Sequence, residues 1–221
     1  MRHSRVLLTA LATLIAFGAY AEESRWEKAI QQFEKADAEK APPQGAVLFI
    51  GSSSIRMWDT EKYFPDIATI NRGFGGSQIA DSLQFAHRIA IPYRPKVIAF
   101  YAGDNDLAAG KTPEVVSADY QEFVKKVHAK LPDTRIVFVA IKPSISRWNL
   151  VDKVRSANGL IREFSDQNDL LAFVDIDTPM IGGDGKPKQE LFIADGLHLS
   201  AEGYELWTKL LNPFLKGAKE K

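Results

Sequence analysis

Three consecutive serines, Ser52-Ser53-Ser54, follow the apolar run Val47-Leu48-Phe49-Ile50 and Gly51. Far along the chain, Asp195 and His198 enclose Gly196 and Leu197. A hydroxyl, an imidazole and a carboxylate are the parts of an activated serine. The acid fixes one ring nitrogen and the other nitrogen takes the hydroxyl proton. An attack on a carbonyl also needs N–H donors for the developing oxyanion. Two further segments offer them: Asn71-Arg72-Gly73-Phe74-Gly75-Gly76-Ser77 through the backbone of Gly76, and Ala102-Gly103-Asp104-Asn105-Asp106 through the amide of Asn105. Each segment also has a plain reading: a serine helix cap, a tight glycine turn, an Asx turn, a loop aspartate beside a packed histidine. Taken together, the four contain every part that acyl transfer requires. His87 and His128 fall within helical patterns with no orienting acid close in sequence, and His3 belongs to the basic start of the amino-terminal segment.

Strands and helices must bring these segments together. Val47–Ile50, Ala68–Asn71, Val97–Tyr101, Arg135–Ile141 and Leu171–Ile176 read as strands, several of them unbroken apolar runs ending at glycine or polar residues. Between them lie amphipathic stretches over 24–40, 77–89, 113–127 and 148–167, and Ser200 caps a last helix carrying Tyr204, Leu206, Trp207 and Leu210. Alternating strands and helices predict an α/β fold, a three-layer α/β/α sandwich around a flavodoxin-like five-stranded parallel sheet. In such a sheet the strands' carboxyl ends share one edge, so segments far apart in sequence can converge there.

With 221 residues, a single domain is expected over 22–221. Lys+Arg and Asp+Glu balance at 28 each, which gives no electrostatic reason to expect nucleic acid as a partner. The absence of cysteine excludes disulfides and thiolate chemistry. Residues 1–21 read as a secretory signal peptide: basic Arg2 and Arg5, an apolar Val6–Phe17, and an Ala19-Tyr20-Ala21 cleavage site. That apolar stretch is shorter than the roughly 20 residues of a spanning helix, so stable membrane insertion is not expected. The mature protein is expected in the periplasm or outside the cell.

The set F-I-G-S-S-S, N-R-G-F-G-G, G-D-N-D and D-G-L-H resembles, in order and spacing, the four blocks of the SGNH hydrolase superfamily, also called GDSL-type esterases and lipases. The resemblance runs from Phe49 to His198. It implies Ser53 as nucleophile, Asp195 and His198 as acid and base, and the oxyanion donors Ser53 N–H, Gly76 N–H and the Asn105 amide. Ser52 replaces the family's usual Asp before the nucleophile. The G-x-S-x-G elbow of α/β-hydrolases is absent, since Ile55 occupies its last position.

The resemblance implies hydrolysis of carboxylic esters through an acyl-enzyme, with no metal or organic cofactor. The absence of a long apolar lid segment favours short acyl or acetyl esters of a polar or carbohydrate substrate, with lysophospholipid also within the family's range. Trp58, Arg72 and Trp148 are the expected substrate contacts, with Tyr63, Phe64, Lys142 and Arg147 as further candidates from their loop and strand-end positions. Two other readings remain: a noncatalytic carbohydrate-binding protein on the same fold, and a metal phosphoesterase using Asp104, Asp106, Asp195 and His198. Oligomeric state is not legible.

Overall fold

The computed structural model describes residues 24–215; the signal peptide expected over 1–21 lies outside them. Strands β1 (Val47–Gly51), β2 (Thr69–Gly73), β3 (Val97–Tyr101), β4 (Arg135–Val139) and β5 (Leu171–Val174) form one sheet in the order β2-β1-β3-β4-β5. Every neighbouring pair is parallel. This is the flavodoxin-like order, in which the direction of winding reverses between β1 and β3.

The helices, in chain order, are α1 (Glu27–Glu39), α2 (Ser53–Arg56), α3 (Thr60–Tyr63), α4 (Ile79–Ile89), α5 (Asp104–Ala108), α6 (Pro113–His128), α7 (Val151–Ser165), α8 (Asp177–Met180) and α9 (Ala201–Leu215). The longer ones match the expected amphipathic stretches. α2, α3, α5 and α8 span little more than one turn, too short for a periodic pattern to reveal.

β1 and β3 are buried along their whole length, because both faces of the sheet are covered. Leu48, Ile50, Ile98, Phe100, Ile136 and Phe138 project to one face, where α1, α4, α6 and α7 supply Ile30, Phe85, Phe123 and Ile161. Phe49, Ala99, Tyr101 and Val137 project to the other, against Trp58, Phe64 and the α9 residues Tyr204, Trp207 and Leu211. The β1–β2 crossover passes over the α9 face and the next three over the opposite face. Right-handed crossovers therefore place the winding reversal between β1 and β3.

The helix ends follow local chemistry. Thr112 Oγ1 accepts the Val115 N–H while Pro113 occupies the first turn of α6. Ser200 Oγ accepts the Gly203 N–H at 3.1 Å and starts α9. Among the described residues no helix is long and apolar enough to cross a membrane.

Candidate active site

The site lies outside the carboxyl ends of β1 and β3, where the winding reverses. At Gly51 the backbone has φ +146°, and a Cβ there would sit 1.7 Å from the Tyr101 carbonyl oxygen. Only glycine lets β1 leave the sheet this close to β3. Ser52 then donates its N–H to Tyr101 O at 3.0 Å, and its carbonyl accepts from Ile55 and Arg56 to open α2. Ser52 and Ser54 are both buried, whereas Ser53, the first residue of α2, is partly exposed. Among the described residues the Ser52 hydroxyl has no hydrogen-bond partner, and Ser54 Oγ lies 3.2 Å from Lys142 Nζ.

The histidine arrives on the loop before α9. An antiparallel bridge between Phe192 and Leu199 closes that loop. Inside it, Ile193 N donates to His198 O and Gly196 N to Ile193 O, both at 2.9 Å. Asp195 Oδ1 accepts the N–H groups of Leu197 and His198 at 2.8 and 2.9 Å, and Oδ2 accepts from His198 Nδ1 at 2.6 Å. A carboxylate can only accept, so Nδ1 carries the ring proton. The lone pair of Nε2 is then turned to Ser53 Oγ, 3.0 Å away. Partial burial pushes the Asp195 carboxyl up, but the His198 ring and the two N–H groups outweigh it and hold the pKa at about 2. The loop is propped from outside by Ser146, whose N–H and hydroxyl both donate to Gly196 O at 3.0 and 3.2 Å.

The loops after β2 and β3 carry N–H donors. Asn105, near the start of α5, donates one amide hydrogen to Ser77 O at 3.0 Å and accepts from Arg147 at 3.1 Å. Its second amide hydrogen is left over. Gly76 has φ +76°, and the Trp26 ring lies 3.3 Å from where a Cβ would stand. Arg25 donates to the Gly76 carbonyl at 3.5 Å. Among the described residues the backbone N–H groups of Ser53 and Gly76 find no acceptor. The arrangement can pass the Ser53 proton to Nε2 and offer N–H groups to an oxygen that gains charge.

Of the expected substrate contacts, two lie elsewhere. Trp58 is a core residue, 2% exposed and packed against Phe49, Phe64, Tyr204 and Trp207. Arg72 faces α1: it is ion-paired with Asp37 and donates to Tyr93 OH at 2.8 Å. Phe64 is also core. Trp148 lines a cleft of about 990 Å³ with Ile145, Lys186, Phe192, Ile193 and Gly196, beside the Asp195–His198 loop. Lys142 points into the protein. It is buried, donating to Tyr101 OH and Asp104 Oδ2, both at 2.8 Å. Asp106 accepts from Ile79 N and Lys111. Asp104 and Asp106 are thus engaged by lysines, and among the described residues no three His, Asp or Glu side chains gather as metal ligands would.

Sequence reasoning missed the part played by Lys142 and the seat of Trp26 against Gly76. A lysine following the apolar run Ile136–Ile141 is a signal for a buried ion pair. Nothing local to Trp26 points to Gly76.

Residues 56–206 match the model of the GDSL-like Lipase/Acylhydrolase family. Curated proteins yield no match. Several solved structures share the fold. A GDSL-like lipase from Bacteroides thetaiotaomicron superposes with a TM-score of 0.74 at 20% identity, covering 86% of this chain and 98% of that one. A lipase/acylhydrolase from Enterococcus faecalis gives 0.67 at 18% identity, covering 80% and 100%. A carbohydrate esterase family 3 protein from Talaromyces cellulolyticus gives 0.60 at 15% identity, covering 77% and 96%.

Proposed function

The chain belongs to the GDSL-like lipase/acylhydrolase family, and from that premise we propose that it is an exported serine esterase acting on short acyl or acetyl esters of a polar or carbohydrate substrate. The observation that carries the reading is the relay Asp195–His198–Ser53, with contacts of 2.6 and 3.0 Å ending on the one partly exposed serine of the three.

In this reading His198 Nε2 removes the Ser53 proton as Oγ attacks the ester carbonyl. Asp195 keeps the imidazole in the required tautomer and stabilises the imidazolium. The oxyanion is held by the N–H groups of Ser53 and Gly76 and the Asn105 amide. His198 then protonates the departing alcohol, and water repeats the sequence on the acyl-enzyme. The Trp148 cleft, next to the histidine loop, receives the alcohol part of the substrate. The cleft combines the Trp148 ring and apolar Ile145 and Phe192 with polar Lys186, Gln189 and Glu190, a mixture that suits a sugar ring and its hydroxyls, and a carbohydrate esterase stands among the structural relatives. The amino-terminal segment directs the chain to the periplasm or the medium.

The test is to treat purified mature protein with a fluorophosphonate probe and locate the adduct by mass spectrometry. The expected adduct is on Ser53 and disappears in His198→Ala. A folded protein that forms no adduct would sink the esterase reading and favour a carbohydrate-binding protein on the same fold. An adduct on Ser52 or Ser54 would keep the reaction class but move the nucleophile.

A further inference from the structure

Among the three donors of the proposed oxyanion hole, Asn105 is the one whose N–H belongs to a side chain. Its direction is therefore not set by the backbone. An amide turned over about its last bond would present oxygen to the oxyanion and repel it. Two neighbours of opposite character decide the matter. The Ser77 carbonyl, 3.0 Å from Nδ2, can only accept, and the Arg147 guanidinium, 3.1 Å from Oδ1, can only donate. Turning the amide over would set oxygen against oxygen and N–H against N–H, losing both bonds.

We infer that Arg147 is a positioning residue for the ester hydrolysis proposed above, fixing the Asn105 amide with its spare N–H toward the oxyanion. The support beneath it is built for the task. Asp104 Oδ1 accepts the Asn105 backbone N–H at 3.0 Å, while Oδ2 lies 3.4 Å from Arg147 and accepts from Lys142 at 2.8 Å. One carboxylate thus anchors both the backbone of Asn105 and the guanidinium that grips its side chain. Lys142 is 1% exposed and reaches on to Ser54 Oγ, next in sequence to Ser53. Arg147 itself is partly exposed, so replacing it does not open the core.

The inference rests on the esterase reading, and a double-mutant cycle separates the two. Steady-state hydrolysis of p-nitrophenyl acetate is measured for wild type, Asn105→Ala, Arg147→Ala and the double variant. Arg147→Ala is expected to lower kcat by at least about tenfold with little change in KM, bounded by the roughly 10²–10³ of losing an oxyanion donor. In the Asn105→Ala background it should cost nothing further. Arg147→Lys, still a pure donor, should recover part of kcat. An equal penalty in both backgrounds, an effect on KM alone, or an unchanged kcat would overturn the inference. Should Arg147→Ala not fold, the same cycle is run with Arg147→Met, which keeps the aliphatic stem. The esterase reading fails differently: Ser53 would take no fluorophosphonate and the wild type would hydrolyse no ester, whereas Asn105→Ala with an intact kcat in an active enzyme would overturn the inference alone.

Discussion

Ser53 Oγ and His198 Nε2 stand 3.0 Å apart although 145 residues separate them in sequence. Neither position depends on the other. Ser53 is set by the turn out of β1 at Gly51, and His198 by the Phe192–Leu199 bridge before α9. What joins them is Asp195, which holds the ring through Nδ1 and holds its own loop through two N–H groups.

Asp195→Asn should separate those two tasks. The amide keeps an oxygen for the Leu197 and His198 N–H groups, so the loop should persist. Its NH2 group would favour the wrong imidazole tautomer and lower kcat by about 10⁴. Near-wild-type kinetics in a folded Asp195→Asn protein would remove Asp195 from the relay.

The acid limb of the pH profile should not belong to Asp195. With its pKa held at about 2, against an ordinary 3.8, this carboxyl stays ionised at any pH where activity is measured. The Asp195 carboxyl should therefore add no step to the pH dependence of kcat/KM between about pH 4 and pH 8. Asp195's own contribution to stability is full above the unfolded value near 3.8 and disappears as pH falls through about 2. A kcat/KM profile from about pH 4 to 8 checks this; an acid limb of second order in protons would put Asp195 back among the groups that titrate there.

Gly51 separates a clash from mere backbone strain. At Gly51→Ala the methyl would meet the Tyr101 carbonyl oxygen at 1.7 Å, a backbone atom at the centre of the sheet that cannot step aside. Gly110 also has positive φ, +94°, but open space around it. Gly110→Ala should therefore cost only the strain, about 1–3 kcal/mol, and keep activity. Gly51→Ala should give no folded, active protein. Thermal melting of the two variants decides, and a stable Gly51→Ala would mean the turn can be rebuilt.

The parts of this fold that were legible share one physical origin. β3 runs from Val97 to Tyr101 as read, because an apolar run ending in Ala-Gly is a buried strand meeting its loop. The four polar segments announced the site because a parallel sheet gathers its carboxyl ends at one edge. β2 was harder: it continues through Arg72 to Gly73, since an edge strand tolerates polar residues that look like loop. Trp58 and Trp148 were indistinguishable as loop aromatics. The difference comes from Tyr204 and Trp207, which reach Trp58 from the far end of the chain and, with the nearby Phe49 and Phe64, enclose it. Arg72 was misplaced for a similar reason, its partner Asp37 lying on a helix whose docking no local pattern records.

Lys142 gives the sharpest test of the support beneath the site. Burial pushes the Asp104 carboxyl up, but Lys142 and Arg147 outweigh it and hold it below its ordinary range. Lys142→Met removes the nearer cation and strands a buried carboxylate, along with Tyr101 OH and Ser54 Oγ, which lose a donor. The expected cost is about 3–5 kcal/mol in urea denaturation at neutral pH. Its pH dependence follows from the sign of the change. In wild type the lowered carboxyl adds stability as pH rises. In the variant burial is no longer outweighed by Lys142, so less of that gain with pH is left. The gap between the two proteins should therefore widen from pH 4 to pH 7. Asp104→Asn added to Lys142→Met should recover part of the loss, because no buried charge is left unpaired. A gap below about 1 kcal/mol, or one that does not change with pH, would show that Lys142 is not the counter-charge of Asp104.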